Sequence, residues 1–328
     1  MTLTTTRFDA SKITRTTVFQ KLAITVLAGG PSGEREVSLR SGKTVATALE
    51  SLGHSVYLED IGPDNLGALA RNVDCVFIAL HGRFGEDGQV QEILERRQIP
   101  YCGSPSDACS LAMNKYLCKK KFEAISLPTP RYTVATPQTV REAMACWSLP
   151  VFVKPVKEGS SLNCHLVRDF GQFRPAVDSV LAGYGDAMIE EYIPGREITI
   201  GVLGEQALSP IEIRTRRDFY DYQAKYVDDD TEYVFDIDLP EDLLDHMMRM
   251  SVEAHMGMGC RDFSRADWRV DTSRMQPYLL EVNVIPGFTN HSLLPKAAAR
   301  DGLSFPYLCQ YIVDMAMRRK FPKSAREH

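Results

Sequence analysis

The stretch Leu22-Ala-Ile-Thr-Val-Leu-Ala28, closed by Gly29-Gly30, constrains the fold more than any other part of this 328-residue chain. It is apolar, rich in β-branched residues and too short for a buried helix, which predicts a core strand running into a tight turn. A helical stretch follows from about Glu36 to Leu52 and stops at Gly53. Ser55–Leu58 and Val73–Leu80 read as the next strands, with helical stretches near 63–71 and 88–97. Strands alternating with helices predict an α/β fold with a parallel, doubly wound sheet over about residues 21–103.

A second unit, 104–193, is expected to begin with a helix near 107–125. It continues through the strands Leu149–Pro155, Cys164–Val167 and Met188–Ile193, with a loop at Val156–Ser161. Pro194-Gly195 reads as a hinge into a third unit, 194–328. There Glu197–Leu203 and Leu208–Ile213 are expected to pair antiparallel around Gly204-Glu205, followed by a strand at Tyr278–Asn283 and a helix near Phe305–Arg319. Residues 214–236, with aspartates at 228–230, form a polar connection long enough to be a functional lid or disordered.

Composition removes several function classes. The net charge of −5 argues against a general nucleic-acid binder. No apolar run approaches the ~18–20 residues that span a bilayer. The eight cysteines form no C-x-x-C pair and lie in apolar stretches, as buried thiols of a reducing cytoplasm do. Residues 1–20 lack a signal-peptide core, and a disordered tail is favoured over a targeting segment.

Two nucleotide fingerprints fail. Gly42-Lys43-Thr44 resembles the end of a Walker A loop, but Val37 stands where that motif needs glycine. The turn Gly29-Gly30-x-x-Gly33 is not G-x-G-x-x-G. What it does offer is close backbone approach and free N–H groups at a helix start, which suit an anion. Glu34 in that turn either meets an ammonium group or complements the helix dipole.

Lys154 ends an apolar strand, where it either meets phosphate oxygens as a point charge or reaches for solvent. The loop Glu158-Gly-Ser-Ser161 after it has the make-up of a phosphate cover. Side chains two apart on a strand share a face, so Arg265 pairs with Asp267 and Glu281 with Asn283. The turn at 271–276 would make these two strands hairpin partners, gathering two carboxylates and an amide oxygen, the hard donors magnesium prefers. Pro286-Gly287 then gives a stiff turn with a backbone N–H, and His291-Ser292-Leu293 a helix start. His81 lies just past a strand end, where open α/β sheets bind ligands, though a lone histidine is as readily structural. Tyr220, Lys225 and Tyr226 lie in the long polar connection, which is equally consistent with a solvated loop.

Together these motifs resemble the D-alanine–D-alanine ligases of the ATP-grasp superfamily over about residues 22–317. The resemblance rests on Gly29–Leu39, Ala79–Gly82 with Gly85–Gly88, Met113–Lys115, Val153–Pro155 with Glu158–Ser161, Phe219–Tyr226, Arg265-x-Asp267, Glu281-x-Asn283 and Pro286–Leu293. It implies three domains, two of them α+β domains that grip ATP between them. It further implies that Lys115 and Lys154 hold phosphates, that Glu190, Glu191 and Ile193 meet the adenine and Glu197 the ribose, and that Asp267, Glu281 and Asn283 hold two Mg2+ ions, with Mn2+ a possible substitute; Asn283 would also contact ATP.

On the same resemblance Glu34 takes the ammonium of the first D-alanine, networked with Ser160 and Tyr226, and His81 lies nearby. Arg265 and the Gly287 N–H stabilise the oxyanion, while Lys225, Ser292 and Leu293 seat the second substrate. The implied activity is ATP-dependent D-Ala–D-Ala synthesis for cell-wall precursors by a cytoplasmic homodimer. Tyr226 resembles the dipeptide-forming rather than the depsipeptide-forming ligases. An inactive scaffold would be expected to lose Lys154, Arg265 or the Asp-Glu-Asn set, and all stand. The chain departs from the family at Val284-Ile285, Leu162-Asn163-Cys164, Ala266 and Trp268, changes expected to bear on the pocket walls.

Overall fold

The computed structural model describes residues 7–12, 20–159, 162–217, 219–220, 230–289 and 291–319. The first sheet comprises β1 (Ala23–Ala28), β2 (Ser55–Asp60), β3 (Cys75–Ile78) and β4 (Tyr101–Cys102), all parallel in the order β2-β1-β3-β4. Helices α1 (Arg35–Ser51) and α2 (Gln89–Arg96) supply the crossovers. Ile24, Val26 and Leu27 of β1 are fully buried, as its β-branched composition requires. The turn after β1 needs glycine: Gly29 has φ +76°, and a Cβ there would stand 2.1 Å from Asp60 Oδ1, the carboxylate that pairs with Arg35. The stretch near 63–71 is only a 3-10 turn at Gly67–Ala70.

The helix expected over 107–125 is two helices, α3 (Ser106–Met113) and α4 (Lys115–Ala124). Asn114 breaks them apart by capping α4, its side chain accepting from Leu117 N, while Lys115 N donates to Val156 O. The second sheet is antiparallel, β5 (Tyr132–Ala135), β6 (Val151–Lys154), β7 (His165–Val167) and β8 (Ala187–Glu191) in the order β5-β8-β6-β7. Helices α5 (Val140–Ala145) and α6 (Phe170–Tyr184) accompany it, and Phe173, Val177 and Val180 of α6 join Val151, Val153 and Ile189 in one core. Alternation in β6 buries Val151 and Val153 and turns Phe152 and Lys154 to the opposite, cleft side.

The third sheet, also antiparallel, runs β12-β11-β9-β13-β14, with β10 paired to β9. Its strands are β9 (Arg196–Leu203), β10 (Gln206–Ala207), β11 (Ile211–Arg214), β12 (Glu232–Val234), β13 (Phe263–Asp271) and β14 (Gln276–Asn283). Helices α7 (Glu241–Gly257), α8 (Leu293–Arg300) and α9 (Phe305–Arg318) complete this part. Helix α9 packs on α1 and β4, and Phe77, Phe263 and Phe288 stack edge-to-face, so the first and third sheets share a core. None of the described helices is long and apolar enough to cross a membrane.

The described part of the N-terminal stretch differs from the expected tail. Phe8 is buried against Tyr311, its N–H bonds Ala207 O, and Arg7 pairs with Glu241 and Asp245. One aromatic side chain with a ready pocket suffices to dock this segment, and composition does not reveal the pocket.

Candidate active site

Two chambers meet where the three parts of the chain come together, the first between the second and third sheets and the second between the first and third. The first is walled by Phe152, Lys154, Cys164, the chain from Glu190 to Ile193, Glu197, Phe219, Asp267 and Arg269. The second is walled by Glu34, His81, Arg265, Asn283, Gly287, Ser292 and Leu293 among others. Lys115, Glu158, Gly159, Tyr220 and Glu281 line both. The described members of the set expected from the sequence thus converge, and Lys115 and Glu281 stand at the junction. Ser160, Lys225 and Tyr226 lie outside the described residues.

The first chamber has an aromatic and a cationic wall. Phe152 meets Phe219 edge-on at 5.2 Å and Tyr192 at 5.8 Å between ring centres. Opposite charges gather around Glu190, whose Oε1 accepts from Lys154 Nζ and whose Oε2 forms an ion pair with Lys119 Nζ, each at 2.5 Å. Burial works against ionising Glu190, but the two ammonium groups outweigh it and hold its carboxyl below the usual range. Lys154 is likewise kept charged, burial being overcome by Glu190. Burial wins at Lys119, whose pKa falls. Glu190, expected to meet a base, therefore directs both oxygens to lysines. Lys115 Nζ donates to Glu158 O, which ties the start of α4 to the loop after β6.

The β13–β14 hairpin supplies the junction. Its register sets Arg265 opposite Asn283 and Asp267 opposite Glu281, so the four share one face as alternation predicts. Arg265 forks onto Asp267, Nε to Oδ1 at 2.9 Å and Nη2 to Oδ2 at 2.8 Å. Thr199 Oγ1 donates to Oδ1 and Asn283 Nδ2 to Oδ2, at 2.7 and 2.8 Å. Ala266 and Trp268, on the other face, are fully buried in the core, and Trp268 Nε1 bonds Ser251 Oγ at 2.9 Å. These two departures therefore do not touch the pocket walls, whereas Cys164, Val284 and Ile285 do.

In the second chamber Glu34 sits at the N-cap of α1, beside the positive end of the helix dipole, and its side chain makes no cap hydrogen bond. It is only 8% exposed, and a Cβ on Gly82 or Gly159 would come within 3.0 or 3.4 Å of its Oε2. Both chain segments thus close over this carboxylate. His81 is buried, with Nε2 3.2 Å from Ser41 Oγ and Nδ1 3.6 Å from Glu86 Oε1. Burial lowers its pKa, but Glu86 and Glu34 together prevail and raise it. Ser292 stands at the N-cap position of α8, and its Oγ accepts from Thr289 N at 3.0 Å, beside Gly287.

Lys119, Thr199, Tyr220 and Arg269 complete the site, and only Tyr220 was singled out from the sequence. Lys119 lies one helical turn beyond Lys115, and Arg269 two residues beyond Asp267, so spacing held a signal for both. The oxygens of Asp267, Glu281 and Asn283 are chemically suited to magnesium. The described residues contain no group of three His, Cys, Asp or Glu side chains fit to hold a metal by themselves, and a magnesium ion bound through one or two carboxylates would take its other oxygens from water and phosphate. Asp267, carrying two donors on each oxygen, would release one to take part.

A parallel α/β sheet joined to two antiparallel sheets that close on such a cleft defines an ATP-grasp enzyme. The model of the D-ala D-ala ligase C-terminus matches residues 120–314, and that of the D-ala D-ala ligase N-terminus residues 58–104. A D-alanine–D-alanine ligase of Anaeromyxobacter dehalogenans is 42% identical over 297 residues, covering 89% of this chain and 96% of its own. The Bacillus anthracis D-alanine–D-alanine ligase structure superposes with a TM-score of 0.82 at 32% identity, over 90% of this chain and 98% of that one. The VanG D-Ala:D-Ser ligase of Enterococcus faecalis gives 0.80 at 26% identity, over 90% and 100%. The chain belongs to the D-alanine–D-alanine ligase family.

Proposed function

We infer that this enzyme couples cleavage of ATP to ADP and phosphate to the joining of two D-alanines, as its family membership over most of the chain supports. The single observation that carries the mechanism is the junction: Lys115 and Glu281 line both chambers, so a nucleotide in the first would present its terminal phosphate to a carboxylate in the second. The aromatic wall of Phe152, Tyr192 and Phe219 suits a base, and Lys115 and Lys154 suit the phosphates. Glu191 and Ile193 lie along the base and Glu197 near the ribose. A solved relative, the Bacillus anthracis ligase complexed with ATP, superposes with a TM-score of 0.76 at 28% identity.

The chemistry runs in two transfers. A carboxylate oxygen of the first D-alanine attacks the terminal phosphorus and ADP leaves, giving D-alanyl phosphate. The amine of the second D-alanine then attacks the acyl carbon, sheds a proton, and phosphate departs with its oxygen. Glu34 holds the first ammonium group and His81 packs beside it. Arg265 and the Gly287 N–H face the oxyanion, where fixed donors act most strongly on charge that develops in the transition state. Ser292 and Leu293, at the start of α8, seat the second carboxylate. Asp267, Glu281 and Asn283 would hold two magnesium ions, which when bound offset the triphosphate charge. Ser160, Lys225 and Tyr226 complete this reading from the resemblance alone. The family's cell-wall precursor role supports a cytoplasmic reaction, where ATP is supplied, and a homodimer is the expected assembly.

The test is phosphate release with ATP and magnesium, comparing D-alanine, L-alanine and D-alanine with D-lactate or D-serine, products identified by mass. Turnover with D-alanine alone, yielding the dipeptide, and its loss in Lys154→Ala and Glu281→Ala are expected. Turnover confined to a mixed product would move the second-substrate assignment. Silence with every amino acid would refute the ligase reading.

A further inference from the structure

The register of the third sheet sets Arg269 of β13 directly opposite Glu197 of β9. Both side chains are 15% exposed, with Arg269 Nη1 3.3 Å from Glu197 Oε2. The same guanidinium turns its Nε to Ile193 O at 3.3 Å and lies 5.9 Å from the centre of the Tyr192 ring. One planar group therefore touches the acid, the hinge carbonyl and the aromatic residue of the first chamber, which it also lines. A guanidinium can donate in two directions at once while its face stays against a ring. An ammonium offers a single compact point of charge and cannot reproduce that pattern.

A cross-strand ion pair can serve the sheet alone. The neighbouring residue separates that role from this one. Arg196, on β9, pairs with Glu212 of β11 at 2.9 Å and donates to Asp238 O, yet lines neither chamber. The sheet thus carries two cross-strand Arg–Glu contacts at adjacent positions of β9, the Arg196 one diagonal and shared with Arg214, and only the Arg269 one faces the nucleotide chamber.

We propose that Arg269 is a positioning residue that sets nucleotide selectivity, holding the Glu197 carboxylate toward the ribose hydroxyls of ATP and pinning the hinge carbonyl of Ile193. The proposal rests on the reading that the first chamber takes ATP with Glu197 at the ribose. Without the guanidinium, Glu197 can swing from the sugar and the hinge loses a fixed point. Discrimination between ribose and deoxyribose then collapses, while the phosphate end, built on Lys115 and Lys154, stays in place.

The experiment measures kcat and KM with ATP and with 2′-deoxy-ATP, at saturating D-alanine, for the full chain and for Glu197→Gln, Arg269→Gln, Arg269→Lys and Arg196→Gln. The full chain and Arg196→Gln are expected to share one preference for ATP. Glu197→Gln and Arg269→Gln should each lower that preference about tenfold, the worth of one charge-assisted hydrogen bond. In Arg269→Gln the change should fall on the KM for ATP more than on kcat. Arg269→Lys, which keeps charge but not the fork, should fall between and provides a folded variant if the glutamine does not fold. If Glu197→Gln loses the preference and both Arg269 variants keep it, the proposal is overturned. If Glu197→Gln itself keeps it, the ribose reading fails and the proposal fails with it. Equal loss in Arg196→Gln would show general damage to the sheet and also overturn it.

Discussion

Glu190 lies between two ammonium groups, and the energetics of that cluster can be worked from its geometry. Lys119, Lys154 and Glu190 side chains are 1%, 13% and 3% exposed, and both N–O distances are 2.5 Å. At an effective dielectric near 20, each pair gains roughly 6–7 kcal/mol of Coulomb energy. That offsets a desolvation cost of several kcal/mol at Glu190 and Lys154, while at the more deeply buried Lys119 desolvation outweighs it. Glu190→Gln leaves two buried ammonium groups without their anion and should destabilise the fold by about 3–5 kcal/mol. Lys119→Met leaves the neutral Lys154–Glu190 pair and one carboxylate oxygen short of a donor, a loss of about 1–3 kcal/mol. The double variant removes one charge of each sign, so it should be more stable than Glu190→Gln alone, a coupling opposite in sign to simple addition. Urea unfolding of the four proteins at pH 7 measures the cycle. A Glu190→Gln protein as stable as the parent, or a double variant no more stable than Glu190→Gln, would refute the electrostatic account.

Three other perturbations have defined outcomes. Burial pushes the His255 pKa down to about 4 from an ordinary 6.5. Between those values the unfolded chain takes up a proton that the native state refuses, so stability present above pH 6.5 is lost as pH falls toward 4; from pH 7 to pH 5 the parent should lose about 2 kcal/mol that His255→Gln keeps, read from paired urea curves. Gly195 has φ +117°, and a Cβ there would stand 2.0 Å from Val270 O, so Gly195→Ala should lower stability by about 2–4 kcal/mol in the same assay. A Cβ on Gly287 would lie 2.6 Å from Ser292 Oγ, so Gly287→Ala should cut kcat/KM for D-alanine at least about tenfold with little change in the urea midpoint, and unchanged kinetics would remove Gly287 from the oxyanion site.

Much of the site is readable along the chain because the relevant constraints are local. Period-2 alternation puts Arg265 with Asp267 and Glu281 with Asn283 on one face whatever surrounds them, and the β13–β14 register joins the two pairs. Asn114 carries a helix-start signal of its own, which the single helix expected near 107–125 overlooks, and it sets Lys115 at the junction of the two chambers. The remainder resists such reading for a specific reason. Lys119, Lys120 and Lys121 form a run that looks like a solvated face, yet Lys119 is 1% exposed while the side chain of Lys120 is 52% exposed. Nothing local separates them; Glu190 and the hydroxyl of Thr129 do.

The order of strands and helices, the glycine turn after β1 and the face-sharing of Arg265 with Asp267 and of Glu281 with Asn283 follow from backbone sterics and side-chain alternation, which act within a few residues. The docking of Phe8, the direction in which Trp268 points, the charge state of Lys119 and the partner chosen by Glu190 depend on residues tens to hundreds of positions away. Those outcomes are electrostatic and steric, and both depend on how completely water is excluded. Exclusion of water is a property of three sheets closing on one cleft, so it exists only once the tertiary structure has formed.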